Sequence, residues 1–335
     1  MTNLSSDITL WNEDKMPIIG LGTWNNVSEE GVHAAVDAAL KVGYRHIDTA
    51  YTYGNEAAIG RALKKWFDQG DVKREDLFIA TKLPLQGMQP ERVDKYLGRS
   101  LAALQLSYVD LYLVQFPCGC PEKGSDLLLP LDESGALIAD PTTDHVAVWK
   151  AMERQVLAGR ARSVGLSHFN ARQLLRVAQA AQLRPACLQL ELHAYCQQRE
   201  LAAFCKGLEL PVVACAPLSS PEFLQLADDP DSEMTCLPKI SPLLDPVVAE
   251  IAHKHKKTPA QILLRHSVQR GIAVIPKSVN PARIKENFQI FDFELDEDDV
   301  WELDSIDRWN RGRVFDKKFF RGMESHPEFP FNDPY

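Results

Sequence analysis

The sequence predicts an α/β fold, a closed (β/α)8 barrel of the TIM type, and three observations predict it. Eight short apolar runs recur along the 335 residues, segments between them carry helical periodicity, and the spacing of the runs is that of a strand-loop-helix-loop unit. The runs fall at residues 18–21, 44–47, 77–81, 109–114, 163–166, 187–190, 212–216 and 272–275. They are apolar nearly throughout rather than alternating, as strands buried on both faces of a parallel sheet must be.

The first helix follows from Val32, Ala35, Val36, Ala39 and Leu40 at helical spacing behind a Ser28 cap, with Gly43 as its stop. A second starts at Pro90 and aligns Val93, Leu97, Leu101 and Leu104 on one side. Thr258, Pro259 and Gln261 form a capping-box start for a third, ahead of Ile262, Leu263 and Leu264. Two gaps are too long for plain connections: residues 117–141 and 218–242, rich in Pro, Gly, Asp and Ser, read as large loops. A barrel needs about 250 residues, and these insertions plus the stretch after 291 account for the rest, so residues 1–335 make one domain. A doubly wound dinucleotide fold is the rival. Its glycine signature fails here, because Gly20 and Gly22 lead into Thr23, Trp24 and Asn25 with no third glycine.

Composition narrows the function. Thirty-seven Lys and Arg against 46 Asp and Glu give a net charge of −9, which repels a polyanion and argues against nucleic acid as the main partner. No apolar run suits a signal peptide or a bilayer span, so a cytoplasmic protein without membrane partners is expected. Seven scattered cysteines argue against a disulfide framework, and Cys118 and Cys120 lack a second pair to complete a zinc site, so no metal is expected. The sequons at Asn3 and Asn26 carry little meaning without secretion.

In a parallel barrel the carboxyl ends of the strands converge on one face. The polar residues there are Asp48, Lys82, Gln115, Ser167, His168, Gln189, Cys215, Lys277 and Ser278. The segments that hold them are MPIIGLGTW, GYRHIDTAYTYGNE, FIATKL, LQLSYVDLYLVQFP, VGLSHFN, LQLELHAY and IPKSVNPARIKENF, with HPEFPFNDPY at the end. In this order the segments closely resemble the aldo-keto reductase family, aldose reductase-like members included, and the resemblance spans nearly the whole chain. It implies the same barrel, with an N-terminal hairpin supplied by residues 8–18 and long loops at the C-terminal face. It also implies carbonyl reduction with NADPH (oxidised to NADP+), Tyr53 being the acid, Lys82 its ammonium neighbour and Asp48 the carboxylate that keeps Lys82 charged. The chemistry suits these residue types, since a phenol of pKa about 10 is made more acidic by a nearby cation.

Three positions depart from the family pattern. Gln115 stands where most members have the histidine that orients the substrate carbonyl; its amide still donates hydrogen bonds and does not titrate. His168 replaces the asparagine that, with Ser167 and Gln189, contacts the nicotinamide carboxamide, and Cys215 replaces the tyrosine that stacks on the ring. The resemblance further assigns Thr23, Leu218, Ser220, Val279, Glu286 and Asn287 to cofactor binding, and Trp24 and Phe116 to the substrate pocket. At the adenosine end Asn280 caps a helix that begins with Pro281. That positive helix end, Lys277, Ser278 and Arg283 favour a doubly charged ribose phosphate, hence NADPH over NADH. Glu191 and His193 read as strand-end residues with buried hydrogen bonds, and His253 and His255 as solvated. The expected partner is a small carbonyl compound, apolar or sugar-like, its choice set by residues 117–141, 218–242 and 300–335, and the protein is expected to be a monomer. The competing expectation is a family member that binds the cofactor and has lost turnover.

Overall fold

The apolar runs become consecutive strands because each can be buried from both sides at once. The computed structural model describes residues 6–25, 28–122, 129–220 and 241–333. The sequons at Asn3 and Asn26, residues 123–128 and 221–240 of the two long loops, and the last two residues of the tail lie outside them. A hairpin comes first, β1 (Asp7–Thr9) against β2 (Lys15–Pro17), antiparallel with Ile8 opposite Met16. The sheet then runs β3 (Leu21–Gly22), β4 (His46–Asp48), β5 (Phe78–Leu83), β6 (Val109–Val114), β7 (Ala161–Ser167), β8 (Leu188–Glu191), β9 (Val212–Cys215) and β10 (Ala273–Val274). Neighbours in sequence are neighbours in space, and each pair is parallel.

The two ends of the sheet meet. Gly20 N–H donates to the Val274 carbonyl at 2.9 Å, Val274 N–H to Ile18 at 2.8 Å, and Gly22 N–H to Pro276 at 3.1 Å. Closure removes the open edges that a parallel sheet would otherwise expose. At this seam the pairing is discontinuous, through bridges Ile19 to Val274 and Gly22 to Lys277, which is why β3 and β10 are shorter than the runs that predict them. The hairpin lies across the amino-terminal ends of the strands, where Asn12 Nδ2 donates to Ser163 Oγ at 3.0 Å and Leu10 and Met16 are buried.

Helices α1 (Glu29–Val42), α2 (Glu56–Gln69), α3 (Val93–Leu104), α4 (His145–Leu157), α5 (Ala171–Ala180), α6 (Arg199–Gly207), α7 (Pro246–His255), α8 (Pro259–Gln269) and α9 (Pro281–Phe288) surround the barrel, and α10 (Glu297–Ser305) follows. Ser28 Oγ caps α1 by accepting from Gly31 N–H, and Gly43 ends it at φ 115°, a conformation that a side chain would oppose. The capping box at Thr258 and Gln261 is formed. Helix α3 begins at Val93 rather than Pro90: Arg92 holds the cap position without a side-chain cap, and residues 90–92 make a turn.

The main apolar core fills the barrel and the layer beneath the helices. A second cluster gathers Leu85, Phe116, Cys118 and Cys120 from the loops with Val314, Phe315, Phe320, Met323 and Phe329 from the tail. Residues after α10 therefore fold back over the mouth of the barrel. Gly312 lets this return pass, since a Cβ there would lie 1.9 Å from the Tyr195 carbonyl oxygen.

Helix α2 approaches α3 at Gly60, where a Cβ would meet the Ala103 and Leu104 carbonyl oxygens at 2.6 and 2.7 Å. Gly60→Ala is expected to cost about 1–3 kcal/mol by overpacking, read as a lower midpoint in urea unfolding. A midpoint equal to the parent's would show that the two helices separate freely.

Candidate active site

Each strand delivers its polar residue at the carboxyl end, and the tail closes one side. The result is a cleft, open to solvent, whose wall includes Asp48, Tyr53, Lys82, Gln115, His168, Gln189, Cys215, Lys277 and Arg283. At its base the Lys82 ammonium is matched by three acceptors: Asp48 Oδ1 at 2.5 Å, the Thr49 carbonyl at 2.8 Å and the Tyr53 hydroxyl at 3.3 Å. An ammonium has three N–H donors, so its hydrogen-bonding capacity is filled. Asp48 Oδ2 accepts from Gln189 Nε2 at 2.8 Å, so Gln189 serves this ion pair as well as the cleft wall. Lys82 and Asp48 are each 2% exposed.

Burial alone would make Lys82 give up its proton, but Asp48 beside it carries the ammonium above its ordinary pKa. Tyr53 moves against the expectation drawn from its neighbour alone. Burial pushes its phenol up to about 12, and the Lys82 cation offsets only part of that. In this state the phenol is a proton donor and not a phenolate.

The backbone that presents Tyr53 is a tight turn, Tyr51–Tyr53, closed by Gly54 at φ 67°. Asn55 braces it: Nδ2 donates to the Thr23 carbonyl at 2.8 Å, and Oδ1 accepts from Thr49 Oγ1 at 3.1 Å. Thr23 Oγ1 donates to the Asp48 carbonyl at 2.9 Å. On the far wall Gln115 meets Thr52, whose Oγ1 lies 3.0 Å from Oε1 and 2.7 Å from Nε2. His168 sits at φ 59°, held by its N–H to the Gln189 carbonyl at 2.9 Å. Its Nε2 is 3.9 Å from Cys215 Sγ, and its Nδ1 is buried without a hydrogen-bond partner. Burial lowers this imidazole to about 4, so it is neutral, and raises the Cys215 thiol above its usual range.

The other end of the cleft is built by the seam and α9. Ser278, Glu286 and Asn287 line the cleft with Lys277 and Arg283, as do Thr23, Ser167, Leu218 and Ser220. Ser278 Oγ accepts from Asn280 N–H at 3.1 Å, and Thr258 Oγ1 donates to Glu286 Oε1 at 2.8 Å. Asn280 spends its Oδ1 as the helix cap, accepting from Ala282 and Arg283 N–H at 2.9 and 3.3 Å. Val279 and Asn280 stand outside the cleft lining, unlike the other sequence-named residues of this segment.

Trp24 and Phe116 both line the cleft, together with Phe315, Phe319 and Phe320, which sequence reasoning located only as part of a loop at 300–335. Trp24 packs edge-on to Phe315 at 5.4 Å, and Phe116 stacks on Phe320 at 4.0 Å. The run of phenylalanines at 315–320 is the signal that was there to read. Glu191 fixes this wall: its oxygens accept from Val314 N–H at 2.6 Å and Phe315 N–H at 2.8 Å, and Oε1 also meets His193 Nε2 at 2.9 Å. His255, expected in solvent, instead meets Asp299 Oδ2 at 2.6 Å, because the start of α10 packs against the end of α7; His253 is exposed. Among the described residues no group of three His, Cys, Asp or Glu side chains could hold a metal, and no helix is long and apolar enough to cross a membrane.

Over residues 18–308 the sequence matches the profile described as the aldo/keto reductase family. The chain belongs to that family. It is 43% identical over 335 residues to aldo-keto reductase family 1 member A1 of Gallus gallus, with 98% of each chain covered. Against the protein of the same name from Bos taurus identity is 44% over 337 residues, with 99% of each covered. The structure of the aldose reductase from Schistosoma japonicum superposes with a TM-score of 0.87 at 39% identity, covering 99% of this chain and 100% of that one. NADPH-dependent carbonyl reduction is the activity that this membership supports.

Between pH 6.5 and about 4 the unfolded chain binds a proton at His168 that the folded one refuses, so falling pH favours unfolding. The contribution is at most about 1.4 kcal/mol per pH unit. His168→Asn is expected to flatten that part of the stability curve, measured by urea unfolding at stepped pH. An unchanged slope would mean that the imidazole charges freely in the fold.

Proposed function

We propose that this protein reduces aldehyde and ketone carbonyls of small, largely apolar molecules to alcohols. It acts with NADPH, as a monomeric cytoplasmic enzyme of one barrel domain. The observation that carries the reading is the Lys82 ammonium shared among Asp48, Thr49 and the Tyr53 hydroxyl, in the same cleft as a cationic helix start. The residues present fit a dinucleotide. Lys277, Arg283 and the capped start of α9 supply positive charge for a phosphate. Gly22 keeps the seam free of a Cβ that would lie 2.5 Å from the Ile275 carbonyl oxygen, and the buried, unpartnered Nδ1 of His168 remains able to hydrogen-bond an amide. Thr23, Ser167, His168, Gln189, Cys215, Leu218 and Ser220 would hold the nicotinamide side. Lys277, Ser278, Arg283, Glu286 and Asn287 would hold the adenosine side, with Val279 and Asn280, outside the lining, supporting the turn and the helix cap behind them.

When bound, NADPH supplies the hydride for the carbonyl carbon. Tyr53 gives its phenolic proton to the carbonyl oxygen, Lys82 stabilises the phenolate left behind, and Asp48 keeps Lys82 charged through the exchange. Gln115 orients the carbonyl with an amide N–H. Trp24, Phe116 and the tail phenylalanines favour an apolar substrate over a sugar, and the Arg313 guanidinium lies 4.3 Å from the Phe331 ring instead of lining the cleft. The cytoplasmic reading rests on six cysteines carried as free thiols among the described residues, and the monomeric one on a cleft that one chain completes. Retention of Tyr53, Lys82 and Asp48 in bonding contact speaks against a cofactor-binding relic, despite the changes at Gln115, His168 and Cys215.

Tyr53→Phe is expected to lower NADPH consumption with aldehydes by about 10²–10⁴-fold, while NADPH quenching of protein fluorescence keeps its affinity. Turnover at the parent rate would remove the mechanism. Gln115→His is expected to raise turnover on plain aldehydes, and to add a limb to the pH-rate profile near pH 6.5, where an imidazole titrates and an amide does not. If neither changes, His168 or Cys215 limits the rate.

A further inference from the structure

The turn that presents Tyr53 also holds the orienting amide, at both of its ends. Thr52 Oγ1 lies 3.0 Å from Oε1 and 2.7 Å from Nε2, while Gln115 alone of the two lines the cleft. A hydroxyl can donate or accept. Donating to Oε1 and accepting one N–H of Nε2, Thr52 holds both ends of the amide, and the second N–H of Nε2 remains for the reacting oxygen. Released from this hold, the amide can turn Oε1 to the cleft, where a carbonyl oxygen would be repelled.

We infer that Thr52 is a positioning residue for carbonyl reduction, its hydroxyl donating to Gln115 Oε1 and accepting from Nε2, which leaves one Nε2 N–H for the substrate oxygen. The inference rests on the reading of Gln115 given above and adds a residue that does not touch substrate. Thr52 is the middle residue of the Tyr51–Tyr53 turn, so one short stretch of backbone fixes the proton donor directly and the orienting amide through one hydroxyl. A histidine at position 115 would carry a ring whose donor atom is fixed by its tautomer. A glutamine has a free terminal rotation, and a partner that engages both of its ends removes that freedom.

The test compares Thr52→Val, which keeps the shape and loses the hydroxyl, with Thr52→Ser, which keeps the hydroxyl. Thr52→Val should lower kcat for aldehyde reduction about tenfold with KM nearly unchanged, and Thr52→Ser should recover to within about twofold of the parent. Introduced into Gln115→Ala, Thr52→Val should have no further effect. A readout independent of turnover is the side-chain amide signal of Gln115 in protein carrying isotope-labelled glutamine, which should shift or broaden in Thr52→Val and stay in place in Thr52→Ser. An unmoved signal in Thr52→Val, or an equal loss of kcat with and without Gln115, overturns the inference. Tyr53→Phe run alongside separates the two ideas: if it retains turnover the reduction mechanism itself fails, whereas an inactive Tyr53→Phe beside a fully active Thr52→Val rejects only the role of Thr52.

Discussion

A buried ammonium is the constraint around which this molecule is arranged. Removing a charged amine from water costs several kcal/mol unless its hydrogen bonds are replaced, and Lys82 meets that demand with a carboxylate, a backbone carbonyl and a phenol oxygen. The partners come from β4 and the turn that follows it, and the lysine from β5, so the register of two parallel strands must be right before the site can exist. Gln189 on β8 then ties the carboxylate to the opposite side of the barrel. A closed sheet is well suited to this, because its strand ends face one another across a short distance.

The parts of the fold set by local chemistry were legible. The apolar runs, the Ser28 and Thr258 caps and the Gly43 stop all act within a few residues, and each does in the structure what its chemistry dictates. The strand-end residues were legible for a related reason: once eight runs are known, their carboxyl ends converge. Pro90 misled because a proline also suits the turn before a helix, and α3 takes its first turn three residues later.

What could not be read depends on contacts between distant segments. Nothing near Glu191 announces that it will receive the N–H groups of Val314 and Phe315, more than a hundred residues on, or that Phe319 and Phe320 will face Trp24 and Phe116. His255 looked solvated because its partner, Asp299, belongs to a helix placed by tertiary packing. The acidity of Tyr53 depends on tertiary packing in the same way. A neighbouring cation was visible in the text, whereas the depth of burial that outweighs it was not.

The seam of the barrel has a thermodynamic consequence. Gly22 and Lys277 belong to the first and last strand regions, they bridge each other, and both line the cleft. Any molecule lodged there grips the beginning and the end of the sheet together, and binding only to the closed form shifts the balance away from the opened one. Occupancy thus works as a latch on the cylinder, tying the availability of the small molecule in solution to the lifetime of the whole architecture.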